Sequence, residues 1–203
     1  MSFKSTRLLC AFVGLLSLSS LARAESVTAD IDKFSDWSVD SYGGVLFSVG
    51  SNASPLEYRL LPQVIALRSP PVIRREWAGG TFVVRSRFSL LLEPIDRGPE
   101  SYFVGLAASP SMEWWDMDRS SAVFVSIGGG FGWMDAKGYV VEGAQGQSLN
   151  LNWFIHAGVN KIVSDRMSLS IGVYFQHISN GGMNKVNPGI DSVGPMVGVS
   201  WRR

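Results

Sequence analysis

Two residues able to do acid–base and nucleophilic chemistry stand two apart in the run Met167-Ser-Leu-Ser-Ile-Gly-Val-Tyr-Phe-Gln-His-Ile-Ser-Asn180. In an extended strand, side chains at i and i+2 share a face. His177 and Ser179 therefore fall with Met167, Leu169, Ile171, Val173 and Phe175, while Ser168, Ser170, Gly172, Tyr174 and Gln176 take the other side. A base and a nucleophile thus lie on the apolar face of a strand. In a membrane that face meets lipid, a placement suited to an enzyme that acts on one.

The connection Asn180-Gly-Gly-Met-Asn-Lys-Val-Asn-Pro-Gly189 leads into a further alternating run, which opens with Asp191. Its odd parity matches Val193, Val197, Val199 and Trp201, so the carboxylate shares the apolar face with His177 and Ser179. Hairpin pairing sets opposed Cβ atoms about 4.5–5.5 Å apart. Serine, histidine and carboxylate then converge, an arrangement that serine hydrolases reach on several unrelated folds. In this reading Ser179 attacks an ester carbonyl, His177 takes its proton, and Asp191 holds the imidazole tautomer. Asn180, Gly181 and Asn187 offer N–H donors to the developing oxyanion, although Asn and Gly in such a loop are also plain turn formers.

The elements that must position these residues are strands. Alternating segments recur at about 37–49, within 57–68, and at 81–93, 101–108, 121–133, 149–159, 167–180 and 191–201. The second is the weakest, because Pro62 interrupts it and Pro70-Pro71 closes it. Each segment is about ten residues long, as tilted membrane-spanning strands require. The polar positions are often Ser, Asn and Gly, which fit the narrow interior of an eight-stranded barrel, where long charged chains would need partners. A soluble barrel would invert this pattern, with an apolar lumen and a charged exterior. Trp37, Trp114, Trp115, Trp133 and Trp201 lie near segment ends, as an interfacial aromatic girdle would place them. The fold expected is all-β, an eight-stranded antiparallel transmembrane β-barrel. His156, Arg85 and Arg87 have interior parity. His156 reads as a hydrogen-bonded lumen residue, and neither arginine is assigned to a lipid phosphate.

Composition agrees. Charged residues are 17% of the chain, against about 25% in ordinary soluble domains, with 22 glycines and 11% aromatics. The net charge of +1 gives no reason to propose a nucleic-acid partner. Residues 1–24 read as a cleaved secretory signal: Lys4 and Arg7, an apolar stretch from Leu8 to Leu18, and Ala22-Arg23-Ala24 as the cleavage site. Residues 25–203 form a single domain. The one cysteine, Cys10, lies in the signal, so no disulfide supports the mature domain. No apolar run in that domain is long enough for a helical span.

The stretch Phe175-Gln-His177-Ile-Ser179-Asn180-Gly-Gly, with Asn187-Pro-Gly189 and an acid at 191, resembles the lipid A 3-O-deacylase (PagL) family of Gram-negative outer membranes. Members carry His-x-Ser-Asn, a second asparagine a short loop later, and a glutamate four residues beyond it. Here that acid is Asp191, one methylene shorter. The motif-level resemblance covers about 167–203. It implies a base at His177, a nucleophile at Ser179, an oxyanion contribution from Asn187 with Asn180 in support, and hydrolysis of the ester-linked 3-hydroxyacyl chain at position 3 of lipid A. It further implies an outer-membrane location and lipid A or lipopolysaccharide of the outer leaflet as partner. No metal or cofactor is expected, since the chain has two histidines and they face opposite ways. Two alternatives remain at this stage: a non-catalytic small barrel (envelope-stabilising or an adhesin), and an esterase of another membrane lipid. The short last loop speaks against an adhesin. The oligomeric state is open, a homodimer among the options.

Overall fold

A computed structural model of the chain describes residues 36–49 and 56–202. The expected signal at 1–24 lies outside them. Among the described residues every strand is antiparallel to its neighbours: β1 (Ser38–Gly44), β2 (Leu46–Ser48), β3 (Arg59–Leu60), β4 (Gln63–Trp77), β5 (Gly80–Arg97), β6 (Tyr102–Trp115), β7 (Ser121–Met134), β8 (Leu149–Ser164), β9 (Met167–Ser179) and β10 (Ile190–Arg202). β1 and β2 are one run broken at Val45, and β3 and β4 are one run broken at Leu61-Pro62. The result is a ring of eight, closed where Ser38 to Gly44 of β1 meet Arg202 to Met196 of β10.

Alternation gives the ring two unlike walls. On β8, Asn150, Asn152, Phe154 and His156 point inward and are buried, whereas Leu149, Leu151, Trp153 and Ile155 point out and are exposed. Exposed Leu169, Ile171 and Val173 continue that outer apolar wall on β9. So much exposed aliphatic surface is costly in water and is the expected exterior of a strand ring set in lipid. One end of the ring has tight turns. Ala78-Gly79 is a two-residue hairpin with both φ positive (51° and 78°), as a primed turn requires. The β8–β9 turn is Asp165-Arg166, and at the β6–β7 turn the Asp116 carboxylate accepts the N–H groups of Ser120 and Ser121 at 2.7 and 3.1 Å. The other end carries the longer connections 135–148 and 180–189.

Several expectations change. β4 does not stop at Pro70-Pro71 but runs through them to Trp77. Beyond Arg68 its described partner is β5 alone, so one side needs no N–H donors there, and two register shifts around Pro71 absorb the imino residues. Ser69 Oγ accepts the N–H of Ser86 at 3.0 Å, an amide the prolines leave without a regular ladder. β6 extends past Ala108 to Trp115. The interior also holds long charged chains. Arg68 bridges Glu113 at 2.8 Å and Asp40 at 3.2 Å, Arg85 lies 3.7 Å from Glu113, and Arg87 lies 3.7 Å from Asp40. The Trp115 indole donates to Glu113 at 2.8 Å. Buried charges persist when paired and hydrogen-bonded, and here five of them share one network. His156 is buried as expected, but aromatic edges surround it rather than hydrogen-bonding groups. Tyr42, Phe124 and Tyr174 stand at 4.9, 4.9 and 5.5 Å, and among the described residues Nε2 has no partner.

Candidate active site

β9 and β10 pair with His177 directly opposite Asp191, and both face outward. The side chains meet, with His177 Nδ1 2.6 Å from Asp191 Oδ1. On its other edge, His177 Nε2 lies 2.9 Å from Ser179 Oγ. A carboxylate only accepts, so the shared proton sits on Nδ1, leaving the Nε2 lone pair for the serine hydroxyl. The imidazole and carboxylate are sheltered, with 23% and 19% of their side-chain surface exposed. Asp191 is fixed from behind, because its carbonyl accepts the Val49 N–H at 2.8 Å. Inward neighbours Ile178 and Ile190 are fully buried in an apolar cluster with Phe103, Met134 and Met196, which gives the hairpin a close-packed backing. Below the site Gln176 donates to Glu93 at 2.9 Å.

The loop after Ser179 is built around Asn180. Its side chain is wholly buried, with Nδ2 donating to Val186 O at 2.9 Å and Oδ1 accepting from Gly182 N and Asn184 N at 3.0 and 3.3 Å. Those three bonds commit the Asn180 side-chain amide to shaping the loop. The Asn180 N–H donates to Asn187 Oδ1 at 2.8 Å. A backbone N–H can only donate, so that bond fixes the Asn187 amide with Nδ2 on the opposite side. Gly181 has φ of +61°, and a Cβ there would sit 2.9 Å from Leu151 Cδ1. The positive φ is what favours glycine in this turn, since the leucine tip is free to turn aside.

Connection 135–148 packs on this loop: Asn184 Nδ2 donates to Tyr139 Oη at 2.9 Å, and the Gly146 N–H to Val186 O at 3.2 Å. Trp153 on β8 is the cross-strand partner of His177. The two rings stack at 6.0 Å between centroids and 29° between planes. The motif reading passed over this residue, and only its parity hinted at it.

The comparisons bear on the chain at two levels, family and fold. The sequence model of the lipid A 3-O-deacylase (PagL) family matches residues 32–200. No curated protein sequence matches the chain. Among solved structures, the outer membrane enzyme PagL is similar with a TM-score of 0.56 and 18% identity, over 79% of this chain and 97% of that one. Neisserial surface protein A (NspA) gives a TM-score of 0.50 and 11% identity, over 82% and 97%. At these identities the structural likeness is one of fold. The family match, in contrast, spans most of the sequence, and by it the chain belongs to the lipid A 3-O-deacylase family, ester hydrolases of the bacterial outer membrane.

Proposed function

We propose that the chain is a transmembrane β-barrel esterase that removes the ester-linked 3-hydroxyacyl chain from position 3 of lipid A. The observation that carries this reading is the linked contact Asp191–His177–Ser179 on the apolar outer wall. A hydrolase of soluble esters has no reason to carry its nucleophile there, and polar ionisable groups facing lipid are costly unless they have a function. Short turns and both ends of the described chain share one end of the ring, as on the periplasmic side of outer-membrane barrels. The site lies at the other end, level with the outer leaflet where lipid A resides. Residues 1–24 are the export signal in this account.

Ser179 Oγ attacks the ester carbonyl as its proton passes to His177 Nε2. Asp191 keeps Nδ1 protonated and offsets the imidazolium charge. Asn187 Nδ2 and the Gly181 N–H meet the oxyanion. The intermediate collapses by breaking the bond to the sugar O3, which leaves as the hydroxyl with the proton from His177. Water then attacks the acyl-serine, again giving its proton to His177, and the 3-hydroxy fatty acid departs. The outer wall also carries a shallow apolar trough of about 540 Å³, walled by Phe88, Leu106 and Phe131 and floored by Ala108 and Gly129. Gly129 is the cross-strand partner of Trp153, so this acyl-sized surface adjoins the site.

The test is hydrolysis by the purified, folded protein in mixed micelles, with released fatty acids identified by mass spectrometry. Lipid A should yield its position-3 hydroxy acid, while a diacyl phospholipid yields none. Release from the phospholipid alone would assign the site to another lipid ester.

A further inference from the structure

We propose that Trp153 is a positioning residue for the base: its indole face restrains the His177 imidazole and stabilises the imidazolium formed when Ser179 gives up its proton. The inference rests on the esterase reading above. Two hydrogen bonds hold the imidazole within its own plane, Nδ1 to Asp191 and Nε2 to Ser179. Neither resists a tilt out of that plane. Trp153, opposite His177 in the β8–β9 register, lies beside one face of the ring at 6.0 Å between centroids and 29° between planes. Trp153 is itself braced, with Phe175 packed against it at 5.1 Å and 44°. Phe175 stands two residues before His177 on the same wall, so indole, phenyl and imidazole make one outward-facing aromatic cluster.

The charge argument follows from the distance. A cation within about 6 Å of an indole centroid is attracted to the ring's negative face, and tryptophan is the strongest such partner. The His177 ring meets that limit at 6.0 Å. A neutral imidazole gains little from the indole face, whereas an imidazolium gains the full attraction. The interaction thus appears mainly in the transition state, where it raises kcat rather than affinity. On a wall facing hydrocarbon, water does not screen it, so it counts for more than at an aqueous surface. An ordinary girdle tryptophan would anchor the barrel in the interface without any such effect on rate.

The experiment compares Trp153→Leu and Trp153→Phe with the unaltered full-length protein, each shown to be folded by heat-dependent gel mobility. Two rates are read: kcat and KM on lipid A in mixed micelles, and labelling of Ser179 by an alkyl fluorophosphonate. In labelling, the Oγ–P bond forms, the P–F bond breaks, fluoride leaves, and the serine proton passes to His177 Nε2. The same charge develops with no lipid A bound. Trp153→Leu should lower kcat and the labelling rate together by about 3- to 30-fold, with KM little changed, and Trp153→Phe should recover most of both. A folded Leu variant with unchanged kcat and labelling, or a loss confined to KM, would overturn the inference. If the unaltered protein labels at Ser179 with this dependence on Trp153 but leaves lipid A intact, the inference stands and only the substrate assignment falls.

Discussion

Asp191 and His177 are register partners across the β9–β10 hairpin, and their side chains meet at 2.6 Å on the wall that faces away from the interior of the strand ring. The aspartate reaches the imidazole without the extra methylene of the glutamate in the family pattern, because direct opposition across a strand pair already brings the two side chains close. Asp191→Asn should lower kcat by about 10⁴-fold, since an amide can hold the wrong tautomer. Asp191→Glu should cost much less, as the longer chain can fold back to the same nitrogen. Steady-state kinetics on lipid A micelles decide this, and equal activity in Asp191→Asn would remove the carboxylate from the mechanism.

The two loop asparagines should separate cleanly. Asn187→Ala removes the proposed oxyanion donor, together with the acceptor of the Asn180 N–H, and should lower kcat by about 10²- to 10³-fold with the fold intact. Asn180→Ala removes three hydrogen bonds that shape the loop and should destabilise the fold by about 1–3 kcal/mol. Its activity loss should be accompanied by faster proteolysis of 180–189. Identical behaviour of the two variants in both assays would mean that the loop works as one undivided unit.

The interior network predicts a stability effect without a chemical one. Glu113 receives Arg68, Arg85 and the Trp115 indole, so Glu113→Ala leaves buried guanidinium charge uncompensated and should cost about 3–5 kcal/mol. Urea unfolding in phospholipid vesicles measures this. The fraction still folded should keep its turnover per Ser179, and a variant as stable as the parent would show that the network contributes nothing.

The outer wall is tested by charge. Val173 points outward in the middle of β9 and is exposed. Val173→Arg should destabilise the inserted barrel by about 2–4 kcal/mol if that position lies near the bilayer midplane. A neutral result in vesicles would place this face in water.

Much of this was legible because strand parity carries meaning. Odd positions of 167–179 and 191–201 share a wall in the sequence as in the structure, and parity restricts the β9–β10 register to steps of two residues, one of which sets Asp191 opposite His177. The partner of His177 on its other side was hidden by a bulge. The turn sets Ser164 opposite Met167, a register that would place Trp153 across from Ile178, an inward residue. A shift between Ile162 and Ser164 moves it to His177, and no local residue announces that shift. The interior arginines showed their parity, but Asp40 and Glu113 lie on strands far away in sequence. Pro62 behaved as expected, and Pro70-Pro71 did not. The first breaks the strand, whereas the second pair sits inside one where the described ladder has a partner on one side only.

The central claim is that Ser179 cleaves an acyl ester of lipid A in the membrane. The measurement that tests it most directly is the mass spectrum of lipid A from a Gram-negative host expressing the chain, beside a Ser179→Ala control present in the outer membrane at the same level. The account predicts loss of one 3-hydroxyacyl mass with the unaltered chain and intact lipid A with the control. The same loss in both strains, or intact lipid A in both with the barrel folded, would contradict it.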